Sequence, residues 1–257
     1  MTRRTTPWPA GVPCWLDLDS PDVAASRAFY GALFGWTFEE SSPEYGGYVV
    51  CQLDGASTAG IAPQMEGAPT AWTLYFASDD ADSTARAVAE HGGTVVMEPM
   101  DVGPQGRMFV AIDPTGAPFG VWQAGEHTGT QVVGEPGGLS WQDLRSNDPD
   151  AARTFYGAVF GLAFQPLPEA DPSYSTFARP GDPMPLGGVG GMFGHDSIPS
   201  HWLVYFGVAD VDAALVTAAA VGGSVLSPAF DTPYGRMAAL ADPGGAPFWI
   251  VTPFAQS

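Results

Sequence analysis

The sequence contains no lysine and only nine arginines against 28 acidic residues, which gives a formal net charge of −19 over 257 residues. Without lysine, neither Schiff-base catalysis nor a Walker-type phosphate loop is available. Binding to nucleic acid needs clustered basic side chains, so this charge argues against a nucleic-acid partner. No nucleic-acid partner is therefore expected.

Cysteines and long apolar runs are also scarce. Both cysteines, Cys14 and Cys51, lie in the first half of the chain, and the position that matches Cys14 in the second half is Ser140. We therefore expect no disulfide that both halves share. No apolar run approaches the length of a membrane span. Residues 1–11 lack the apolar stretch of a signal peptide. The sequence predicts a cytoplasmic protein with no membrane partner.

The chain does contain a long internal repeat. The segment DVAASRAFYGALFG at residues 22–35 returns as DPDAARTFYGAVFG at residues 148–161. Three further positions recur in order: Trp15, Asp17 and Tyr75 in the first half return as Trp141, Asp143 and Tyr205 in the second. A repeat of this length predicts two homologous domains. We expect an N-terminal tail at residues 1–10, a first domain at 11–123, a polar, Gly-rich linker at 124–137 and a second domain at 138–257.

Within each half, the pattern predicts a strand, a helix and three strands, and then the same order again. Trp15 to Asp19 alternates like a strand, which places Trp15 and Asp17 on one face. A helix start at Ser20-Pro21-Asp22 and a left-handed cap at Gly35 bound the first helix. The sequence therefore predicts an α+β fold, with two β-α-β-β-β modules in each domain.

These modules resemble the vicinal oxygen chelate superfamily, the superfamily of glyoxalase I, extradiol dioxygenases, and fosfomycin-resistance and bleomycin-binding proteins. The resemblance rests on the module order, the Phe-Tyr pair late in the first helix, and the Asp-Pro-x-Gly turns at residues 113–116 and 242–245. It covers about residues 11–253, and the tandem arrangement is similar to a branch common in actinobacteria. It implies a U-shaped mixed sheet around a cavity in each domain. The scaffold hosts metalloenzymes and plain binders alike, so the fold does not fix the function.

In the metal-dependent members of this superfamily, His, Glu or Gln ligands lie on the first, fourth, fifth and eighth strands. The matching positions here hold Trp15 and Trp141, Trp72 and Trp202, and Gly120 and Trp249, while the fourth-strand stretches at 58–63 and 187–193 contain neither Glu nor His. Indole and glycine side chains supply no metal ligand. We therefore predict no metal and no cofactor.

Two alternatives keep a metal site open. His201, next to Trp202, would face the cavity if the strand register shifted by one residue. Asp17 and Asp143 could supply carboxylate ligands. The other histidines are placed at a helix end, in the linker and in a loop, at His91, His127 and His195.

Aromatic side chains take the place of ligands in the predicted cavities. The predicted ligand-binding residues are Trp15, Tyr48, Trp72 and Trp122 in the first domain, and Trp141, Trp202 and Trp249 in the second. Indoles stack well on planar or apolar ligands. The alternative interpretation is that these rings simply fill the space of a lost metal site.

Four charged residues, Asp17, Asp143, Arg107 and Arg236, are the predicted catalytic residues. Each Asp shares a face with a tryptophan, and each Arg begins the seventh strand of its domain. One interpretation is a structural Asp–Arg pair that closes each cavity. The other makes the Asp a general base and the Arg a group that holds an anionic or enolate oxygen.

Together these residues predict a protein that binds a small aromatic or apolar metabolite in a Trp-lined cavity. It would act as a binding or resistance protein, or as a metal-independent enzyme of secondary metabolism. The alternative is a metal-dependent lyase, hydroxylase or dioxygenase of the glyoxalase type. Since two domains in one chain can mimic the dimer of single-domain relatives, we expect a monomer or a homodimer.

Overall fold

The computed structural model describes residues 3–40, 43–169, 171–192 and 197–252, so the predicted loop histidine, His195, lies outside the described residues. The chain forms two eight-stranded mixed sheets, one in each half. Each half has the element order strand, helix and three strands, twice over. The predicted α+β fold of paired β-α-β-β-β modules is confirmed.

The first sheet contains strands β1 to β8 in the spatial order β2-β3-β4-β1-β5-β8-β7-β6. Strand β1 pairs in parallel with β4, and β5 pairs in parallel with β8. Its elements are β1 (Pro13–Ser20), α1 (Val23–Phe34), β2 (Thr37–Glu40), β3 (Val49–Leu53), β4 (Ala56–Pro63), β5 (Trp72–Ala77), α2 (Ala81–Glu90), β6 (Thr94–Asp101), β7 (Gly106–Ile112) and β8 (Pro118–Ala124).

The second sheet repeats this arrangement as β10-β11-β12-β9-β13-β16-β15-β14. Its elements are β9 (Leu139–Arg145), α3 (Pro149–Phe160), β10 (Ala163–Pro166), β11 (Ser175–Ala178), β12 (Gly187–Gly190), β13 (His201–Gly207), α4 (Val211–Ala220), β14 (Ser224–Thr232), β15 (Gly235–Ala241) and β16 (Pro247–Val251). None of the helices in the described part of the chain is long and apolar enough to cross a membrane.

The repeated helix motif sets both ends of α1 and α3. The Asp22 side chain accepts a hydrogen bond from the backbone N–H of Ala25 (3.0 Å) and caps the start of α1, and Asp148 caps α3 in the same way. Gly35 ends α1 with a φ of 73°, a left-handed conformation that glycine adopts without a steric penalty. Each helix is therefore bounded by the residues that the sequence predicts.

The Phe-Tyr pair of each helix builds the contact between the domains. The Tyr30 hydroxyl donates a hydrogen bond to Asp242 (3.2 Å), in the Asp-Pro turn of the second domain. In the reverse direction, Tyr156 of α3 lies against Asp113, the first residue of the Asp-Pro turn in the first domain. One apolar core runs through both domains. The two motifs that the halves share thus meet each other across the domain boundary.

Each sheet has a helix face, packed into this shared core, and an opposite face that we call the inner face. On β5 the alternation places Trp72 on the helix face, where its indole N–H donates to the Tyr30 hydroxyl (3.2 Å). Tyr75 lies on the inner face with Trp15 and Trp122. The inner face is the side of the sheet that the sequence predicted as the cavity wall.

The prediction that Trp72 and Trp202 line a cavity is wrong. Both indoles are buried in the shared core, and that of Trp202 donates to the Tyr156 hydroxyl (2.9 Å). The physical reason is the two-residue period of a strand. Tyr75 and Tyr205 pair with the inner-face tryptophans of β1 and β9. Trp72 and Trp202 lie three residues before these tyrosines, so their side chains point to the opposite face, toward the helices.

Candidate functional site

A cluster around the half-buried carboxylate of Asp17 occupies the inner face of the first domain. Asp17 Oδ1 accepts hydrogen bonds from the Trp15 indole N–H (2.7 Å) and the Tyr48 hydroxyl (2.6 Å), and the Tyr75 hydroxyl is a third partner. Burial raises the Asp17 pKa to about 6, although these three donors favour the charged form. The first domain therefore holds a carboxyl group that changes its protonation state just below neutral pH.

The second domain has the same cluster with one addition. Asp143 accepts from the indole of Trp141 (2.8 Å) and from the hydroxyls of Tyr174 (2.7 Å) and Tyr205 (3.0 Å). Arg145 Nη2 also lies 2.8 Å from Asp143 Oδ2 and forms an ion pair with it. Asp143 is 4% exposed, so this carboxylate is buried with a cation beside it.

The two clusters differ in charge because of one position. Counted by the 126-residue repeat, the residue that matches Arg145 in the first domain is Asp19. Burial raises the pKa of Asp19 as well. The first cluster thus has two neighbouring carboxyl groups, Asp17 and Asp19, where the second has the Asp143–Arg145 pair.

Glycines make room for the tyrosine rings of both clusters. A Cβ atom at Gly60 would lie 1.9 Å from the Tyr48 hydroxyl oxygen, and one at Gly188 would lie 1.9 Å from that of Tyr174. Gly60 is the register partner of Asp17 on β4, and Gly188 lies opposite Asp143 on β12. Both glycines fall in the stretches where metal-dependent members of the superfamily carry a fourth-strand ligand, so tyrosine hydroxyls fill that space here.

These residues do not fit the metal ion of the metal-dependent members. The indole N–H, phenol O–H and guanidinium groups around Asp17 and Asp143 all donate hydrogen bonds to the carboxylate, whereas a metal needs lone pairs directed at it. Within residues 3–40, 43–169, 171–192 and 197–252, no three His, Cys, Asp or Glu side chains converge. His201 lies on the inner face, but its register partner is Arg145, a cation.

The predicted catalytic arginines lie away from both clusters, so the predicted pairing of Arg107 with Asp17 and of Arg236 with Asp143 is wrong. Arg107 forms ion pairs with Asp82 (2.9 Å) and Asp101 (2.8 Å). Arg236 does the same with the Asp212 (2.9 Å) and Asp231 (3.0 Å) carboxylates. Met108, next to Arg107, packs on the inner face, so strand alternation turns Arg107 toward α2.

The inner face of the first domain is covered by segments outside its sheet. The His127 ring, from the predicted linker, packs edge-on against Trp15 (4.2 Å between centroids), and the Trp122 indole donates to the His127 carbonyl (2.9 Å). Trp8, from the N-terminal tail, packs on the same cluster and donates to the Thr130 carbonyl (2.9 Å). Trp15 is consequently only 2% exposed. Burial lowers the His127 pKa to about 4.

The matching face of the second domain carries a row of three aromatic rings. Tyr205 is the register partner of Trp141 on one side and of Trp249 on the other, and its ring stacks on Trp249 (5.5 Å). Both indoles are partly exposed, and Phe230 beside Trp249 is 41% exposed. In the described part of the chain, no ring packs on Trp141 as His127 packs on Trp15.

Two further cavities lie away from the carboxylate clusters. One of about 310 Å³ lies between α1, the predicted linker and the start of α4, and is lined by Phe34, Pro136 and Asp210 among others. The second, of about 210 Å³, lies beside Trp8 and Trp122. Neither is lined by Asp17 or Asp143, although the second shares Trp8 and Trp122 with the covered inner face of the first domain.

Several residues of these sites escaped the sequence analysis. Tyr174 follows Tyr48 by the same 126 residues that separate Trp15 from Trp141, so the repeat could have revealed it. Arg145 is marked instead by a difference between the halves, because the matching residue in the first half is Asp19. The cover formed by His127 has no counterpart in the repeat and could not have been found from it.

Comparison with known proteins agrees with this architecture. The family model of the glyoxalase/bleomycin resistance protein/dioxygenase superfamily matches residues 15–121 and 138–250. CFP32 of Mycobacterium tuberculosis, a protein provisionally named as a glyoxylase, is 40% identical to this chain over 255 residues, which cover 96% of each chain. The anthracycline biosynthesis protein DnrV of Streptomyces peucetius is 42% identical over 261 residues, covering 94% of this chain and 93% of DnrV.

Among solved structures, the Mn(II)-bound glyoxalase from Novosphingobium aromaticivorans superposes with a TM-score of 0.67 at 16% identity, over 98% of this chain and 83% of that one. The 2,3-dioxygenase LapB from Pseudomonas sp. KL28 gives a TM-score of 0.63 at 13% identity, over 99% and 96% of the two chains. At these identities the likeness concerns the fold alone. The chain belongs to the glyoxalase/bleomycin resistance protein/dioxygenase superfamily.

Proposed function

We propose that this protein binds a small planar aromatic metabolite on the inner face of its second domain, without a metal ion, and acts as a binding protein. The observation that carries the proposal is the difference between the two inner faces. Trp8 and His127 cover the first one, whereas Trp141 and Trp249, on either side of the buried Tyr205, remain partly exposed. The second domain is therefore the half that can accept a ligand.

The dimensions of the row support a ligand of this kind. Neighbouring strands lie roughly 4.8 Å apart, so three rings on adjacent strands span roughly 10 Å, the width of two or three fused aromatic rings. Indole and phenol rings gain contact energy from flat apolar surfaces and keep a polar edge for orientation. The hydrogen bonds from Trp141 and Tyr205 to Asp143 hold both rings in place before the ligand arrives.

The names of two relatives agree with such a ligand. DnrV of Streptomyces peucetius and DauV of Streptomyces sp. strain C5 are both named as anthracycline biosynthesis proteins, and DauV is 40% identical to this chain over 263 residues. Anthracyclines are built on planar fused rings. The ligand we propose belongs to the same broad chemical class.

The metal-free part of the proposal is supported by the donor set of the clusters. Trp141, Tyr174, Tyr205 and Arg145 all donate hydrogen bonds to Asp143, and the tyrosine over Gly188 fills the fourth-strand position. A ligand bound here is oriented by stacking and hydrogen bonds. The metal-dependent alternative would need a rearrangement of these side chains.

The test is a fluorescence titration with anthraquinone-2-carboxylate, a planar tricyclic probe, in buffer that contains a chelator. We expect saturable quenching for the unmodified protein and a loss of affinity of about tenfold or more in Trp249→Leu. Trp122→Leu, on the covered first face, is the matched control and should leave the affinity unchanged. Binding that needs added Mn²⁺ or Fe²⁺, or that is lost only in the control, contradicts the proposal.

An enzymatic role is the second candidate, and the Asp17 carboxyl is the observation that favours it. A pKa of about 6 suits a general acid or base. A substrate would reach Asp17 only after the cover of Trp8 and His127 had moved. Mass spectrometry of a metabolite extract incubated with the protein, compared with Asp17→Asn, separates this role from binding: unchanged ligand supports a binder, and a product absent with the variant supports an enzyme.

A further inference from the structure

We propose that Arg145, which faces His201, forms an anion-recognising end of the ligand site in the second domain, so that the ligand is an aromatic acid with an ionised carboxylate or phenolate oxygen. This inference rests on the proposed function and narrows its ligand class. Neither residue was among the predicted site residues, although His201 was considered as a metal ligand. The two are register partners on the neighbouring strands β9 and β13.

The guanidinium of Arg145 is held in place by its neighbours. It forms the ion pair with Asp143 (2.8 Å) and lies over the Tyr174 ring, 5.6 Å from the ring centroid. Gly190 on β12 makes room for the guanidinium, because a Cβ atom at this position would lie 3.0 Å from Arg145 Nη1. The Arg145 side chain is still 12% exposed, so this fixed cation reaches the surface of the inner face.

The His201 ring is oriented by a backbone carbonyl. Its Nδ1 lies 2.8 Å from the Pro199 oxygen, and since a carbonyl oxygen can only accept, Nδ1 carries the hydrogen. The other nitrogen, Nε2, then carries no hydrogen and can accept a hydrogen bond from a ligand hydroxyl.

The Arg145 guanidinium lies within reach of the aromatic row. The side chain of Arg145 reaches back to Asp143, and Asp143 is two residues from Trp141, roughly 7 Å along the strand. A ligand whose rings stack on the row can therefore place a substituent at the guanidinium. Charge-assisted hydrogen bonds from arginine to a carboxylate are stronger than those between neutral groups.

The first domain supplies an internal comparison. The residues that face each other at the same place are Asp19 and Ala71, joined by a backbone hydrogen bond of 3.1 Å. A negative and an apolar side chain there cannot hold an anion. Arg145 also acts on a second carboxyl group. Hydrogen bonds from Ser173 are the main cause of the lowered pKa of Asp171, and the positive charge of Arg145 lowers that pKa further. In a chain of net charge −19, an anionic ligand needs such a local cation.

The experiment compares the affinities of anthraquinone-2-carboxylate and its neutral carboxamide, which have the same ring system. The unmodified protein should bind the carboxylate about tenfold more tightly. In Arg145→Gln this preference should fall to about twofold or less, while the affinity for the carboxamide stays within about twofold. In His201→Ala, which introduces the residue that the first domain has at this place, the preference should change by less than about twofold, because Nε2 cannot donate a hydrogen bond to the carboxylate. Arg179→Gln, in the same domain but paired with Asp182, should change neither affinity.

Arg145→Gln should fold, because Asp17 in the first domain keeps the same three donors without an arginine. Thermal unfolding checks this for each variant. Equal affinity of the unmodified protein for the two probes, or an equal loss of both in Arg145→Gln, overturns the anionic class but leaves the aromatic site standing. If neither probe binds to the unmodified protein, the proposed function fails together with this inference.

Discussion

The hydroxyl of Tyr30 donates a hydrogen bond of 3.2 Å to Asp242, a residue 212 positions further along the chain. The same hydroxyl accepts a hydrogen bond from the Trp72 indole (3.2 Å), so a helix of the first domain is tied both to its own sheet and to the final turn of the second domain. Burial raises the pKa of Asp242, and the Tyr30 hydroxyl opposes that rise by bonding to the charged form. This contact and the shared apolar core link the two domains.

Replacing Tyr30 by Phe should therefore lower the free energy of unfolding by about 1–3 kcal/mol, because two buried polar groups lose a partner. Tyr156→Phe, at the equivalent place in α3, should cost a similar amount. Urea denaturation measures both, and a single transition is expected in each case because the core is shared. A change below about 0.5 kcal/mol, or separate transitions for the two domains, would show that this contact does not couple them.

Replacing Asp17 by Asn should make stability less dependent on pH. The Asp17 pKa is about 6 in the folded protein and roughly 3.9 in an unfolded chain, so the folded state binds its proton more tightly. The resulting stabilisation is complete below about pH 4 and is lost as the pH rises through 6. Relative to the unmodified protein, Asp17→Asn should gain up to about 3 kcal/mol between pH 4 and 7.

Asp143→Asn is the contrasting control for that experiment. It leaves Arg145 without its carboxylate partner, so at pH 7 it should destabilise the protein by about 3 kcal/mol. Denaturation curves at several pH values give both results. Equal and same-sign effects of the two substitutions would mean that the clusters do not differ in charge as described.

The cover of the first inner face should open in acid. The His127 pKa is lowered to about 4 by burial, so its contribution to stability is present above pH 6.5 and is lost as the pH falls toward 4. We expect the fluorescence of Trp15 and Trp122 to change in that range, since His127 contacts both rings. His127→Phe keeps an aromatic ring without the titrating group and should abolish the part of the change near pH 4, while Asp17, with its pKa of about 6, still titrates beside Trp15. Persistence of the same pH profile in this variant would assign it to another group.

Gly60→Ala should displace Tyr48 from the first cluster, because the new Cβ would lie 1.9 Å from its hydroxyl oxygen. Overpacking of this kind costs about 1–3 kcal/mol. Gly157→Ala is the control: it lies inside α3, and its new Cβ would be no closer than 3.4 Å to a neighbour. Because alanine favours helices over glycine, the control should be neutral or stabilising. Thermal unfolding measures both, and a loss of stability in the control alone would refute the packing argument.

The repeat and the two-residue strand period predicted most of the fold, and they failed where a side chain's face had to be assigned. Asp17 and Trp15 were placed correctly because their strand alternates clearly. Trp72 was misplaced because β5, with its run of large apolar residues, gives no polar alternation to mark the inner face. Arg107 was misplaced because its partner, Asp82, lies on a helix whose position depends on tertiary packing.

The charge difference at Arg145 was visible in the repeat, but its meaning was not. Sequence comparison shows that Asp19 and Arg145 occupy matching positions, whereas their effect depends on the three donors that the fold brings to each neighbouring aspartate. The His127 cover depends on the path of a segment with no repeat partner. Long-range packing of this sort leaves no periodic trace in a sequence.

The most direct test is a crystal structure of the protein with anthraquinone-2-carboxylate, grown without a chelator and measured for anomalous scattering. We predict ligand density against Trp141, Tyr205 and Trp249, with its acidic oxygen at Arg145 and no metal peak beside Asp17 or Asp143. Ligand density in the first domain instead, or a metal ion held by either carboxylate, would contradict it.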